Sequence, residues 1–240
     1  MKMNKAIISA PFGTYVRLPG CTSTRGTYTI NPRPGAIWGA LTRIYFTKDG
    51  IINRMGLRNP GLKSQDFSKH KDAIWSITGL TCNEWIRVVL CTPLCSTIEL
   101  NFSCPNVDTT LSMKDKQRII EYALFLRKPG CVIVKLPADP KKATQLYTIA
   151  AEAGVSIFHA CNTIKTTRGG LSGRAIQDVS IPLVKFLHRE GHTVIGGGGI
   201  YHPDDVKRYR DAGADHFALG TIFFAPWKLP AVLKEINKCS

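Results

Sequence analysis

From residue 62 onward, short apolar runs alternate with longer stretches in which polar and apolar positions recur at helical spacing. Residues 73–77, 97–100, 131–136, 156–160, 193–195 and 216–219 are short, largely β-branched or aliphatic, and bounded by Gly, Pro or polar residues, as buried strands are. Between them, 62–70, 81–90, 113–127, 140–153, 180–190 and 203–212 read as helices, and a last helix closes the chain. The first half is less regular. Residues 6–10 give a first strand closed by Pro11, and 21–24 a second, with no room between them for a helix of ordinary length. Residues 37–52 hold two β-like runs around Lys48-Asp49-Gly50, which predicts a hairpin. Eight strands, the later ones separated by helices, are the pattern of an α/β protein with a (β/α)8 barrel, here somewhat trimmed and carrying a small β-hairpin extension near 37–52. A doubly wound open sheet is the alternative, because periodicity does not show closure.

Composition changes this picture little. At 240 residues, 44% hydrophobic and 20% charged, the chain suits one domain spanning 1–240. No run of about 18 apolar residues is present, and Ile7-Ile8 is too short for a leader core, so the expectation is a cytoplasmic protein without a membrane anchor. The eight cysteines show no repeated Cys-x-x-Cys pairing and read as reduced thiols without a metal site. The net charge of +15 raises nucleic acid or an anionic ligand as partners. Its Lys and Arg residues are scattered over predicted helices, which favours a solvated surface over a nucleic-acid face.

Chemistry gathers at the carboxyl ends of the predicted strands, where barrels of this kind carry their sites. Asn101-Phe102-Ser103-Cys104-Pro105-Asn106 ends one strand with a thiol flanked by amides that can both donate and accept hydrogen bonds. Lys135 ends an otherwise apolar strand, where an unpaired cation is too costly to bury, so it should meet an anion or an electron-rich ligand. Gly196 to Gly199 follow one strand and Gly220-Thr221 the next, in the positions where such barrels commonly bind phosphate. A Gly-x-Gly-x-x-Gly fingerprint after a first strand is absent, which disfavours a Rossmann dinucleotide site.

Together the Asn101–Asn106 loop, Ile52-Asn53-Arg54-Met55-Gly56-Leu57-Arg58-Asn59-Pro60-Gly61, Gly169-Gly170-Leu171-Ser172-Gly173 and residues 195–199 resemble the dihydroorotate dehydrogenase family over about residues 7–225. The cysteine in the loop is similar to the soluble class 1 enzymes. The resemblance implies a (β/α)8 barrel binding FMN and oxidising dihydroorotate to orotate in pyrimidine synthesis. Carried over, Cys104 is the base. Asn53, Asn101, Asn106 and Asn162 hold the pyrimidine, and Met55, Gly56 and Leu57 cradle its carboxylate. Lys135 touches the flavin ring, Thr163 lies near it, and Gly170, Gly198, Gly199, Gly220 and Thr221 surround the cofactor tail. A homodimer or an electron-transfer partner subunit also follows from it. The chain departs from the family in having no lysine near the end of its second strand, where Arg25 is the stand-in, and in a missing first helix and shortened stretches after Asn106 and Thr163. A tRNA-dihydrouridine-synthase-like flavoenzyme and a noncatalytic barrel derived from the family are the competing readings.

Overall fold

The computed structural model describes residues 3–35, 43–48, 50–102 and 111–238. Eight strands close into a barrel in the order β1, β12, β11, β8, β7, β6, β5, β2, and every neighbouring pair is parallel. These are β1 (Ala6–Ile8), β2 (Cys21–Tyr28), β5 (Ile74–Ile77), β6 (Thr97–Leu100), β7 (Val132–Lys135), β8 (Ile157–Ala160), β11 (Thr193–Gly197) and β12 (His216–Leu219). The open-sheet alternative is thereby excluded. The other four strands, β3 (Ile44–Thr47), β4 (Gly50–Asn53), β9 (Ile164–Thr166) and β10 (Gly169–Ser172), form an antiparallel sheet in the order β3, β4, β10, β9.

Alternation along the strands sorts their side chains into two cores. Ile98, Leu100, Val132, Val134, Phe158 and Val194 belong to the large cluster shared with the helices. Ile7, Ile74, Ile133, Ile157, Ile195 and Ala218 form a separate cluster inside the barrel. The helices α2 (Cys82–Cys91), α3 (Met113–Leu126), α4 (Pro140–Glu152), α5 (Gln177–Arg189), α6 (Pro203–Asp211) and α7 (Leu229–Asn237) lie close to their expected positions. Their starts are chemically marked: Thr81 caps α2, Ser112 and Asp115 form a capping box on α3, and Asp139 caps α4. Between β1 and β2 stands only the four-residue α1 (Phe12–Tyr15), the short connection anticipated from the sequence.

Three expectations are corrected. Residues 62–70 form no continuous helix but two 3-10 turns, Leu62–Ser64 and Phe67–His70, separated by an extended Gln65 and restarted by the Asp66 cap on Ser68. The second strand runs on from Thr24 to Tyr28, its pairing with β5 shifting between Arg25 and Tyr28. The hairpin near 37–52 exists as β3 and β4, but it is half of a larger sheet completed by β9 and β10, an unanticipated hairpin that returns at Gly169 (φ 123°). Residues 36–42 and Asp49 of that region lie outside the described residues. Among the described residues, no helix is long and apolar enough to cross a membrane.

Candidate active site

The inward positions change character toward the carboxyl ends of the strands. Two residues beyond the apolar Ile74, Ile133 and Ile157, the same face of β5, β7 and β8 presents Ser76, Lys135 and His159. Glu99 on β6 joins them. Glu99, His159 and Lys135 are 1%, 3% and 8% exposed, so three ionisable groups share one water-poor space. His159 Nδ1 donates to Glu99 Oε2 at 2.6 Å and Ser76 Oγ to Glu99 Oε1 at 2.8 Å. Ser76 and Thr27 hydroxyls are 2.9 Å apart, and Asn101 Nδ2 reaches Thr27 Oγ1 at 3.0 Å. Asn162 Nδ2 donates to Asn101 Oδ1 at 2.9 Å, tying the ends of β6 and β8 together.

Burial alone would raise the Glu99 carboxyl, but the Lys135 cation, His159 and the hydrogen bonds from His159 and Ser76 outweigh it and hold the group at about 2. His159 moves the other way from its partner's pull. Burial, aided by Lys135, keeps it below the ordinary imidazole range despite Glu99, so it is neutral at pH 7. Glu99 is therefore the buried anion and Lys135 the buried cation. Both shifts act in the same direction on stability. A depressed carboxylate stabilises the fold above its ordinary value of 4.5 and loses that contribution as pH falls through about 2, a loss of about 3 kcal/mol. A depressed imidazole resists protonation, so stability falls further as pH drops below 6.5. The melting temperature should thus decline from about pH 6.5 downward, and Glu99→Gln should flatten the part below pH 4.5. Parallel curves for the two proteins would remove Glu99 from the acid response.

The glycine loop after β11 is held from behind. Tyr209 Oη shares its one hydrogen between the carbonyls of Gly197 and Gly198, 2.9 and 2.8 Å away, and Gln177 Nε2 donates to that of Gly199 at 2.7 Å. Because N–H lies opposite C=O in a trans peptide, the N–H groups of Gly198, Gly199 and Ile200 face away from those helices. Among the described residues none of the three makes a backbone hydrogen bond. A side chain is barred as well: at Gly199 (φ 67°) a Cβ would lie 2.7 Å from Arg174 Cα. One strand later, Gly220 leaves open space, its would-be Cβ meeting only Ser9 Cβ at 3.9 Å, and Thr221 starts a 3-10 turn. Bare backbone donors turned outward fit the phosphate of a nucleotide cofactor such as FMN.

The remaining expected residues are distributed as follows. Asn53 ends β4 and its amide donates to the Gly170 carbonyl at 3.4 Å, so the small sheet brings Asn53 and Gly170 together. Strand β9 of that sheet begins two residues after Asn162, and Thr163 N–H donates to Asn162 Oδ1 at 2.9 Å. Gly56 (φ 63°) and Leu57 (φ 58°) are consecutive left-handed residues. Arg33 holds the Gly56 carbonyl and Asn59 the Leu57 carbonyl, at 3.3 and 2.6 Å, which fixes the Met55–Gly56–Leu57 turn. Arg25 is not brought to the Lys135 group. Its guanidinium donates to the Thr14 carbonyl at 3.1 Å and lies 5.8 Å from the centre of the Trp75 ring, on the helix side of β2. The next residue, Gly26 (φ 118°), admits no side chain either, since a Cβ there would lie 2.3 Å from the Ser76 carbonyl. Cys104 and Asn106 lie outside the described residues.

Glu99, His159, Ser76, Thr27, Tyr209 and Gln177 were not anticipated from the sequence. Glu99 and His159 carried a readable signal: ionisable residues inside runs as apolar as Ile98-Glu99-Leu100 and Phe158-His159-Ala160 must find partners when buried.

The chain is similar to known proteins in sequence and in fold. The family model described as dihydroorotate dehydrogenase matches residues 20–239. The catalytic subunit of dihydroorotate dehydrogenase B (NAD(+)) from Caldicellulosiruptor bescii is 31% identical over 90% of this chain and 80% of its own length. The same subunit from Halalkalibacterium halodurans is 29% identical over 88% and 78%. Among solved structures, the Eimeria tenella enzyme in complex with ferulenol superposes with a TM-score of 0.74 at 19% identity, covering 98% of this chain and 82% of the other. The matches do not favour the tRNA-dihydrouridine-synthase-like alternative. A closed parallel barrel, a polar layer at the strand ends and a family match over nearly the whole chain lead to one assignment: this chain belongs to the dihydroorotate dehydrogenase family.

Proposed function

We propose that this chain oxidises dihydroorotate to orotate, with FMN as its cofactor and Cys104 as the base. The reading rests on family membership and on one observation above others: a buried cation, two linked amides and an outward-facing row of backbone N–H groups stand around the same end of the barrel. FMN, when bound, supplies the acceptor for the two electrons that leave the substrate as hydride. The residues of the chain do the rest. Gly198, Gly199 and Ile200 offer N–H groups to the phosphate, with Gly220 and Thr221 beside them and Gly170 on the small sheet. Lys135 would place positive charge beside the ring, favouring the extra electron density of its reduced form. A lysine that is 8% exposed and feels the buried Glu99 carboxylate is a charge shielded from water, and such a preset charge costs little reorganisation as the reaction proceeds.

Asn53, Asn101, Asn106 and Asn162 hold the pyrimidine by amide hydrogen bonds. The two left-handed residues of the Met55–Gly56–Leu57 turn aim backbone N–H groups at its carboxylate, as such turns do for anions. Cys104 takes a proton from the ring carbon next to the one that loses hydride. A free thiol has a pKa of about 8.5, so only a few per cent is thiolate at pH 7, and the step quickens as pH rises toward that value. Cys161 does not compete for this role, because burial, only partly offset by Lys135 and Ser180, pushes its thiol up to about 12. A partner subunit would carry the electrons on to a nicotinamide, as the names of the bacterial relatives, NAD(+) catalytic subunits, suggest for this chain. The enzyme works in the cytoplasm.

Anaerobic addition of dihydroorotate to the FMN-loaded protein tests the reading. Bleaching of the flavin absorption is expected. Bound flavin that stays oxidised would overturn the substrate assignment, and a protein that takes up no FMN would point to the noncatalytic barrel.

A further inference from the structure

The hydrogen-bond chain between the barrel core and the two asparagines has a direction, and Glu99 decides it. An ionised carboxylate only accepts, so Ser76 must donate its single hydroxyl hydrogen to Glu99 Oε1. Having spent that hydrogen, Ser76 can only accept from Thr27, 2.9 Å away. Thr27 in turn has no hydrogen left for Asn101 and must accept from Asn101 Nδ2 at 3.0 Å. That forces the Asn101 amide to turn its oxygen toward Asn162, whose Nδ2 donates to it at 2.9 Å. Asn162 Oδ1 is occupied by the Thr163 N–H at 2.9 Å, consistent with the same sense. Every donor from Asn162 to Ser76 thus points toward Glu99, while His159 closes the other oxygen. A neutral acid or amide at position 99 could donate as well as accept, and the chain would lose its fixed sense.

We propose that Glu99 acts as a positioning residue which, through Ser76 and Thr27, fixes the orientation of the Asn101 and Asn162 amides and so sets the order of donors and acceptors met by a ring ligand. Rotating an amide by 180° exchanges its oxygen and nitrogen. The site would then no longer discriminate a ring carbonyl from an amino group at the same position. The inference rests on the reading of Asn101 and Asn162 as ring-binding amides. Ser76 is the place to test it, because Ser76→Ala cuts the chain while leaving Glu99, His159 and Lys135 in place.

The experiment compares orotate with its 4-amino analogue by calorimetry on the FMN-loaded protein. In the native protein orotate should bind more tightly. Ser76→Ala should weaken orotate about 10-fold, about 1.4 kcal/mol, and shrink its preference over the amino analogue by a similar factor, with flavin content unchanged. Ser76→Thr keeps the hydroxyl and should restore the preference. Equal weakening of both ligands, or an unchanged preference, would overturn the proposal, since a merely structural role shifts both alike. If the native protein binds neither ligand, the substrate reading fails, and the chain is judged by side-chain amide exchange in 15N-labelled ligand-free protein. The Asn101 NH2 group should exchange slowly in the native protein and faster in Ser76→Ala; equal rates would overturn the proposal independently.

Discussion

Cys104→Ala should leave FMN bound and slow reduction of the flavin by dihydroorotate by roughly 100-fold or more, the usual loss when a general base is removed. The effect follows from the order of the chemistry. Hydride departure leaves positive character on the ring unless the neighbouring carbon gives up its proton, so a missing base raises the barrier to the electron-transfer step itself. Binding should change little, because the Asn101 and Asn162 amides and the Met55–Leu57 turn remain. Stopped-flow reduction under anaerobic conditions measures it, and the dependence on pH adds a second readout: the native rate rises toward pH 8.5, the ordinary thiol value, and that rise should vanish in Cys104→Ala. A variant that reduces its flavin at nearly the native rate would remove Cys104 from the role of base.

Lys135→Met should cost both stability and flavin. The substitution keeps the length of the side chain but leaves Glu99 as an uncompensated anion that is 1% exposed. Removing one partner of a buried ion pair typically costs 3–5 kcal/mol, which for a protein of this size lowers the melting temperature by roughly 10 °C. The structural and cofactor roles separate in a double-mutant cycle. Glu99→Gln in the Lys135→Met background removes the stranded charge and should return most of the lost stability, whereas flavin affinity should stay low because the cation is still missing. Recovery of both would show that Lys135 acts on the flavin only through the fold. Loss of neither would place Lys135 away from the ring.

The chain spans about four fifths of the length of the curated relatives it matches. The connection from β1 to β2 is short, with a helix of only four residues. It leaves the barrel closed, because closure depends on the eight strands and their register and not on the length of the connections.

The sequence by itself determined the alternation of strands and helices and most of their boundaries, though not the closure of the sheet, because buried parallel strands read as short apolar runs and their helices as capped amphipathic stretches. It also carried the Asn101–Asn106 loop, Lys135 and the two glycine turns, since these residue types are costly or unusual where they stand. Only the tertiary structure decided the rest. Arg25 and Thr24 are adjacent in sequence, yet the pleat of β2 sends Arg25 to Trp75 on the helix side, a choice of face that composition does not encode. Asn53 and Gly170, 117 positions apart, are joined by one antiparallel pairing, which no local pattern announces. Ser76, Glu99 and His159 come from three different strands, and their meeting depends on barrel closure and register. A charge becomes a buried ion pair, and a hydroxyl a link in a directed chain, only when the fold removes water and supplies the partner.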